Sequence, residues 1–394
     1  MPFRFNLPSR TVIENSFNGD RMLRIIEGNI PGNPGRHILI TGCPGSGKTT
    51  VSVHHFIHCN NLGVRVQFVT FQHMLRYALT HLLETQGIEN PNVATLCKWY
   101  SRHTGGDWLY SAGNDDLPTA EQIMQRLAAR LPVRFDKFLV DEGQDVHPKV
   151  YHALPQLADH VMVGADDAQQ MYERGARSGQ IRQILEANGG VWHCELQYNY
   201  RNTSETYDFA RQFVSDMPAA NEQATVELLR QHRSAGPDAR PRVYTYAQDA
   251  QMADRLTRIF RELHGNNIAL LAHKQTEVES IVRLLITIRI DGQPLQFSVY
   301  HSNRAVPDPL QQILVTTFKS AKGMEFDAVI LPFLPSSTRL ETRRQCFVAC
   351  TRAVVRLYVF CRSTLHPLLA SFRPDTYQLR SLIQPVPQAQ ADGI

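Results

Sequence analysis

The chain has 394 residues, 43% hydrophobic and 20% charged, with 41 Lys and Arg against 37 Asp and Glu for a formal net charge of +4. At about 150 residues per domain this length suggests two or three domains, and the composition excludes global disorder. The charge excess is too small to require a nucleic-acid partner by itself, because a basic groove can sit inside a near-neutral total. No apolar run approaches the roughly 20 residues of a membrane span. The opening MPFRFNLPSR lacks the apolar core of a secretory signal, and seven cysteines without a CxxC pair argue against a disulfide framework or zinc site. A reducing cytoplasm is the expected location.

Taken in chain order, short β-branched runs predict strands at His37–Thr41, Arg65–Thr70, Phe138–Asp141, Val161–Gly164 and Trp192–Leu196. A second series is predicted at Val243–Tyr246, Ile268–Ala272, Ile313–Phe318, Ala328–Pro332 and Leu357–Phe360. Helical patterns lie between them at Thr49–Cys59, Ala120–Leu131, Ala250–Leu263 and Thr276–Leu285. Strands alternating with helices imply an α/β fold with mostly parallel sheets covered on both faces. The pattern occurs twice, with a break near Gln197–Asn199, so two lobes of similar size are expected, over 1–197 and 198–384. Thr104–Pro118 reads as a surface loop and Met217–Pro241, with Pro218, Gly236, Pro237 and Pro241, as a connection inside the second lobe. Residues 385–394 read as a disordered tail.

The sharpest motif is Gly42-Cys43-Pro44-Gly45-Ser46-Gly47-Lys48-Thr49-Thr50, a GxxxxGK[ST] loop between a predicted strand and a predicted helix. Its glycines let successive backbone N–H groups curl around a phosphate, and the helix N-terminus adds a favourable dipole. Lys48 is expected to reach the β- and γ-phosphates of ATP, and Thr49 to hold Mg²⁺ through its hydroxyl. The alternative, a Gly/Pro turn with an incidental lysine, does not account for the strand and helix on either side.

The second motif is Phe138-Leu139-Val140-Asp141-Glu142-Gly143-Gln144-Asp145. An apolar strand ending in Asp then Glu puts Asp141 near Mg²⁺ and Glu142 near a water that can attack the γ-phosphate. An acidic turn after a buried strand is the bland reading, and the P-loop upstream weighs against it.

With these two motifs on the page, the chain resembles the superfamily 1 helicases of the UvrD/Rep/PcrA type, whose second motif reads DExQD. Further segments match in the family's order: Val69-Thr70-Phe71, Val93-Ala94-Thr95-Leu96-Cys97-Lys98-Trp99, Gly164 through Tyr172, Asn199-Tyr200-Arg201-Asn202, Val315 through Phe326, and Val348 through Ala353. The resemblance implies two RecA-like P-loop NTPase lobes sandwiching ATP. It implies that Arg201 and Arg352 act as arginine fingers on the γ-phosphate, that Gln169 senses that phosphate, that Tyr200 stacks on adenine, that Glu325 approaches the ribose, and that Gly323 belongs to the nucleotide-binding set. It also implies a single strand of DNA, with RNA left open, lying across both lobes on Thr70, Phe71, Thr95, Trp99, Tyr172, Thr317 and Lys319. Taken alone, Trp99 reads equally as core packing, and a core aromatic is the lesser alternative for Tyr200.

The match departs from the family in four places. Residues 1–41 contain no Gln, where the family usually reads adenine; Glu173-Arg174 follow Tyr172 where the larger helicases carry a stacking tryptophan; Lys319 stands where His is usual; and there is no room for two large accessory domains. Three readings therefore compete. One is an ATP-driven translocase or helicase on single-stranded DNA, 3′→5′ by resemblance. Another is a helicase-like ATPase subunit that needs a protein partner or self-association, as in a DNA-repair or anti-phage defence complex. The third is a non-hydrolysing nucleotide-binding module, which Lys48, Asp141, Glu142, Arg201 and Arg352 argue against.

Overall fold

The computed structural model describes residues 2–28, 37–107, 109, 117–128, 130–131, 134–215, 222–301 and 304–383. The first sheet consists of β1 (His37–Gly42), β2 (Val66–Thr70), β3 (Val93–Thr95), β4 (Phe135–Val140), β5 (Ala158–Ala165) and β6 (Val191–Leu196), in spatial order β3-β2-β4-β5-β1-β6. Every pairing in it is parallel. Runs such as Phe138-Leu139-Val140 are buried because helices cover both faces, and the apolar residues divide into one cluster on each.

The second half of the chain supplies β7 (Arg242–Tyr246), β8 (Ile268–Ala272), the small hairpin of β9 (Arg289–Ile290) and β10 (Gln293–Pro294), then β11 (Ser298–Val299), β12 (Ile313–Thr317), β13 (Phe326–Leu331), β14 (Ala353–Arg362) and β15 (Gln378–Ser381). Apart from the hairpin these form a second sheet in the order β11-β12-β8-β13-β14-β7-β15, again with all pairings parallel. The ten predicted strands all occur, with ends displaced by a few residues. β3, the two-residue strands β9, β10 and β11, and β15 were not predicted; β15 reads Gln-Leu-Arg-Ser, an edge strand without an apolar run. The Met217–Pro241 connection contains a helix, Glu222–His232, whose Leu229 is fully buried in the second lobe's core. Most of the expected Thr104–Pro118 loop and the whole of the 385–394 tail lie outside the described residues.

The lobes share apolar surface. Met74 and Ala78 on the helix His73–Thr85, together with Met171, join the cluster built on Leu314, Phe326, Val329 and Leu331. The N-terminal segment ties the lobes together. Phe3 N donates to Leu310 O at 2.6 Å, and Arg4 and Asn267 exchange two hydrogen bonds. A few residues on, Pro8 O accepts from His54 Nε2 of the first lobe at 2.8 Å.

Candidate functional site

The P-loop turns from β1 into the helix Lys48–Asn61. Gly47, at φ 95° immediately before that helix, takes a backbone conformation that side-chain-bearing residues rarely adopt. A Cβ on Gly45 would lie 2.5 Å from both Arg201 Cβ and Asn199 Oδ1, so only glycine lets the loop pass this close to the segment that follows β6. Lys48 Nζ donates to Gly42 O at 2.7 Å and Cys43 O at 2.9 Å and lies 3.5 Å from Asp166.

A cavity of about 360 Å³ opens above this loop. Gly45, Ser46, Gly47, Lys48, Thr49 and Thr50 line one end of it, while Gly42, Cys43 and Pro44 do not. Asp141, Glu142 and Gln169 enter from the ends of β4 and β5, and Tyr200, Arg201, Gly323, Glu325 and Arg352 close the other wall. Parallel α/β sheets present ligand sites at the carboxyl ends of their strands for this topological reason. The buried Ser46 Oγ has no hydrogen-bond partner among the described residues, as a hydroxyl awaiting a phosphate oxygen would. Thr49 Oγ1 donates to Asp141 Oδ2 at 2.7 Å, bringing together two oxygen ligands of the kind Mg²⁺ takes. The residues present fit both ATP and the metal.

The acidic pair is buried and polarised in opposite directions. Burial, reinforced by the neighbouring Glu142 charge, pushes Asp141 up to about 6. Burial also acts to raise Glu142, but the charges of Lys322, Arg352 and Lys48 outweigh it and hold this carboxyl below its ordinary value. Glu142 has φ 57°, a left-handed conformation that a non-glycine residue holds at a cost of about 1–3 kcal/mol and that recurs at functional sites. Its Oε2 accepts from Gln144 Nε2 at 2.6 Å.

Arg352, 1% exposed, donates to the side-chain oxygen of Gln169 across the lobe boundary, and to Val348 O and Met324 O within its own lobe. Burial first and then the nearby Arg201 charge lower it to about 9. Arg201 is paired with Glu325 at 3.0 Å. The segment that carries it contacts both lobes: Tyr200 N donates to Gly45 O at 2.8 Å, and Asn202 Nδ2 donates to Thr351 O and Ala353 O. Tyr200 packs against Tyr198 with ring centroids 4.6 Å apart, and its hydroxyl accepts from Asn18 N at 3.0 Å.

The residues expected to touch nucleic acid divide into two groups. Phe71 and Tyr172 face each other at 4.9 Å, and Lys319 Nζ stands 5.5 Å from the Tyr172 ring, joining the two lobes in one aromatic and basic patch. Thr317 lies beside them, its hydroxyl donating to Ser320 Oγ and accepting from Ser320 N. Thr70, Thr95 and Trp99 are a correction. They are 1%, 2% and 3% exposed. Trp99 packs edge-on against Phe138 at 5.1 Å, and Thr95 caps the helix Leu96–Thr104, so these side chains are core and cap rather than platform.

Sequence reasoning missed several contributors. Lys322 lay within a matched segment without a role, yet it bonds to Glu142 and Asp145. Asp166 meets both Lys48 and Gln169. Asn6, Pro8, Val12, Ile13 and Ser16 line the cavity from the N-terminal segment, which carried no recognised motif.

Two protein-family profiles match parts of the chain. A family profile described as an AAA domain matches residues 31–176, and one described as a UvrD-like helicase C-terminal domain matches 312–360. S. cerevisiae Dbp5 bound to RNA and ADP BeF3 superposes with a TM-score of 0.51 at 12% identity, over 96% of this chain and 94% of that one. That likeness shows the fold, two RecA-like lobes. The C-terminal domain of a possible DNA helicase from a Lactobacillus aligns at 20% identity and a TM-score of 0.33, over 46% of this chain and 98% of that one. No curated protein matches the chain.

Proposed function

This chain belongs to the UvrD-like helicases, and from that premise we propose that it hydrolyses ATP and uses the cycle to move along single-stranded DNA in the 3′→5′ direction. The observation that carries the reading is the convergence on one cavity of Lys48, Thr49, Asp141, Glu142 and Gln169 from one side and Arg201, Glu325 and Arg352 from the other. A module that only bound nucleotide would have no use for a carboxylate and two arginines at the phosphate end.

In this reading Glu142 accepts a proton from water as the water oxygen bonds to the γ-phosphorus. The bond from that phosphorus to the β,γ-bridging oxygen breaks, and ADP and phosphate leave. Lys48, Arg201 and Arg352 stabilise the charge spreading over the phosphoryl oxygens, and Gln169 links that charge to Arg352. Thr49 and Asp141 would hold Mg²⁺, which supplies Lewis-acid neutralisation of the same charge. Tyr200 and the apolar N-terminal residues offer a slot for the base. Phe71, Tyr172, Thr317 and Lys319 offer stacking and phosphate contacts that tolerate any sequence.

The test is ATP hydrolysis by the full chain with and without single-stranded DNA, alongside unwinding of a forked duplex with either polarity of tail. Hydrolysis stimulated by the strand, with unwinding of the 3′-tailed fork, is the expected result. No hydrolysis under either condition would overturn the reading. The second reading, an ATPase subunit of a larger assembly, is favoured by the missing tryptophan after Tyr172, and strand-stimulated hydrolysis without unwinding would select it.

A further inference from the structure

Lys322 is fully buried, and all three of its ammonium donors are engaged. They meet Asp145 Oδ2 at 2.6 Å, Gln169 O at 2.8 Å and Glu142 Oε2 at 3.2 Å. Every one of these partners belongs to the first lobe, whereas Lys322 sits on the turn between β12 and β13 of the second. The turn is itself pressed against the first lobe: a Cβ on the next residue, Gly323, would lie 2.6 Å from the Leu75 side chain. A buried ammonium with this geometry is held by its acceptors, and removing it would leave two carboxylates facing each other in a dry boundary.

Burying an ion pair is a poor way to gain stability, because desolvation offsets much of the attraction. The arrangement is better matched to placement. Gln144 Nε2 and Lys322 Nζ both bind the same oxygen of Glu142, Oε2. Two fixed donors on one oxygen define the plane of the carboxylate and leave Oε1 as the acceptor for water. One of those donors comes from within the acidic motif itself; the other arrives only with the second lobe.

Resting on the ATPase reading above, we propose that Lys322 is a positioning residue that orients Glu142 toward the attacking water only while the two lobes are together. It touches neither nucleotide nor water and acts through Glu142. Lobe separation withdraws one of the two donors, so the carboxylate loses its orientation and hydrolysis is confined to the closed state.

The experiment uses the full chain with two variants, Lys322→Met and Lys322→Met/Asp145→Asn. The second variant removes one charge of each sign, so it keeps the test valid if the single change fails to fold. Steady-state hydrolysis is measured over a range of ATP concentrations, with single-stranded DNA present. Misplacing a catalytic group by about 1 Å can cost on the order of 100-fold. Each folded variant is therefore expected to lose kcat on that scale with KM for ATP little changed, which is the split expected of an interaction realised in the transition state. A purely structural lysine predicts instead that the double variant, with its thermal midpoint recovered, also recovers kcat. That recovery, or an effect on KM alone, would overturn the proposal. Absence of hydrolysis by the unsubstituted protein would overturn the ATPase reading beneath it, a distinct outcome in the same assay.

Discussion

Thr49 Oγ1 donates a 2.7 Å hydrogen bond to Asp141 Oδ2, joining the first turn of the P-loop helix to the end of β4. Two oxygens from motifs 92 residues apart are thus already at the spacing a small hard cation bridges. Asp141 is also the carboxyl that burial and the Glu142 charge push up to about 6, so a divalent ion would relieve an unfavourable charge. Asp141→Asn is expected to abolish the Mg²⁺ dependence of hydrolysis and to slow it by about 10²–10³-fold, the several kcal/mol of charge stabilisation a catalytic metal supplies. Phosphate release measured across a Mg²⁺ titration checks this, and an unchanged dependence would remove Asp141 from the metal site.

Glu142 and Lys48 should fail differently when replaced. Lys48→Ala takes charge from the phosphates and should weaken both binding and hydrolysis. Glu142→Gln preserves shape and the Gln144 contact but cannot accept a proton. It should retain ATP binding while hydrolysis falls by about 10²–10⁴-fold, the usual contribution of a general base. A fluorescent ATP analogue reports binding and single-turnover phosphate release reports chemistry. Hydrolysis at the unsubstituted rate would show that another group takes the proton.

Much of the site was legible because the backbone demands it. A loop that wraps phosphate needs glycines at fixed spacing, and an acidic pair after an apolar strand can be read without coordinates. Lys322 was not legible in that way: its three partners lie 153 to 180 residues earlier, from Gln169 back to Glu142, and only the closed arrangement of the lobes brings them together. Trp99 shows the opposite case. Leu96, Trp99 and Tyr100 stand at i, i+3 and i+4, the spacing of a buried helix face, and all three are buried. The same spacing in Met22, Ile25 and Ile26 marked the helix Gly19–Glu27, which was also overlooked. β15 offered no comparable pattern, since three of its four residues are exposed.

The division between Phe71 and Trp99 gives a paired expectation. Trp99→Ala should destabilise the protein by about 3–5 kcal/mol, the range for truncating a large buried aromatic, while the folded fraction binds single-stranded DNA normally. Phe71→Ala should leave the thermal midpoint nearly intact and weaken binding by about 1–3 kcal/mol, the worth of one base–aromatic stack. Fluorescence anisotropy with a labelled oligonucleotide, read beside thermal denaturation, separates the two. Loss of affinity in a fully folded Trp99→Ala protein would restore Trp99 to the surface patch.

His55 provides a pH dependence. It is 1% exposed; its Nδ1 donates to Ile26 O at 3.0 Å, which leaves Nε2 to accept from the Cys59 thiol. Burial lowers its pKa to about 4 from the ordinary 6.5. The unfolded chain therefore takes up this proton at higher pH than the folded one does. The contribution is fully present above pH 6.5 and is lost as pH falls toward 4, by up to about 3 kcal/mol. Denaturant midpoints between pH 7 and 4 should fall less steeply in His55→Gln than in the unsubstituted protein. Identical slopes would mean that other groups account for the acid lability.

Strand separation sets the sharpest expectation for the whole protein. Unwinding needs a grip on one strand and an obstacle to the duplex, since each base-pair step costs about 1.4 kcal/mol to break. The grip proposed above would come from the patch of Phe71, Tyr172 and Lys319, which spans both lobes. The obstacle is not evident: Glu173 and Arg174 follow Tyr172 where the larger relatives place a stacking tryptophan, and the segments between motifs leave no room for a large duplex-binding domain. The isolated monomer should therefore show strand-stimulated hydrolysis with poor unwinding, and should need a partner or self-association to separate strands efficiently. Its affinity for the strand should fall steeply with salt, because each phosphate contact releases counterions. A stopped-flow trace on a tailed duplex of about 20 base pairs, which at about 1.4 kcal/mol per step does not open by itself, checks this, with the monomer confirmed by light scattering. Rapid and complete unwinding by that monomer would show that the lobes alone supply the obstacle, and the self-sufficient helicase reading would stand.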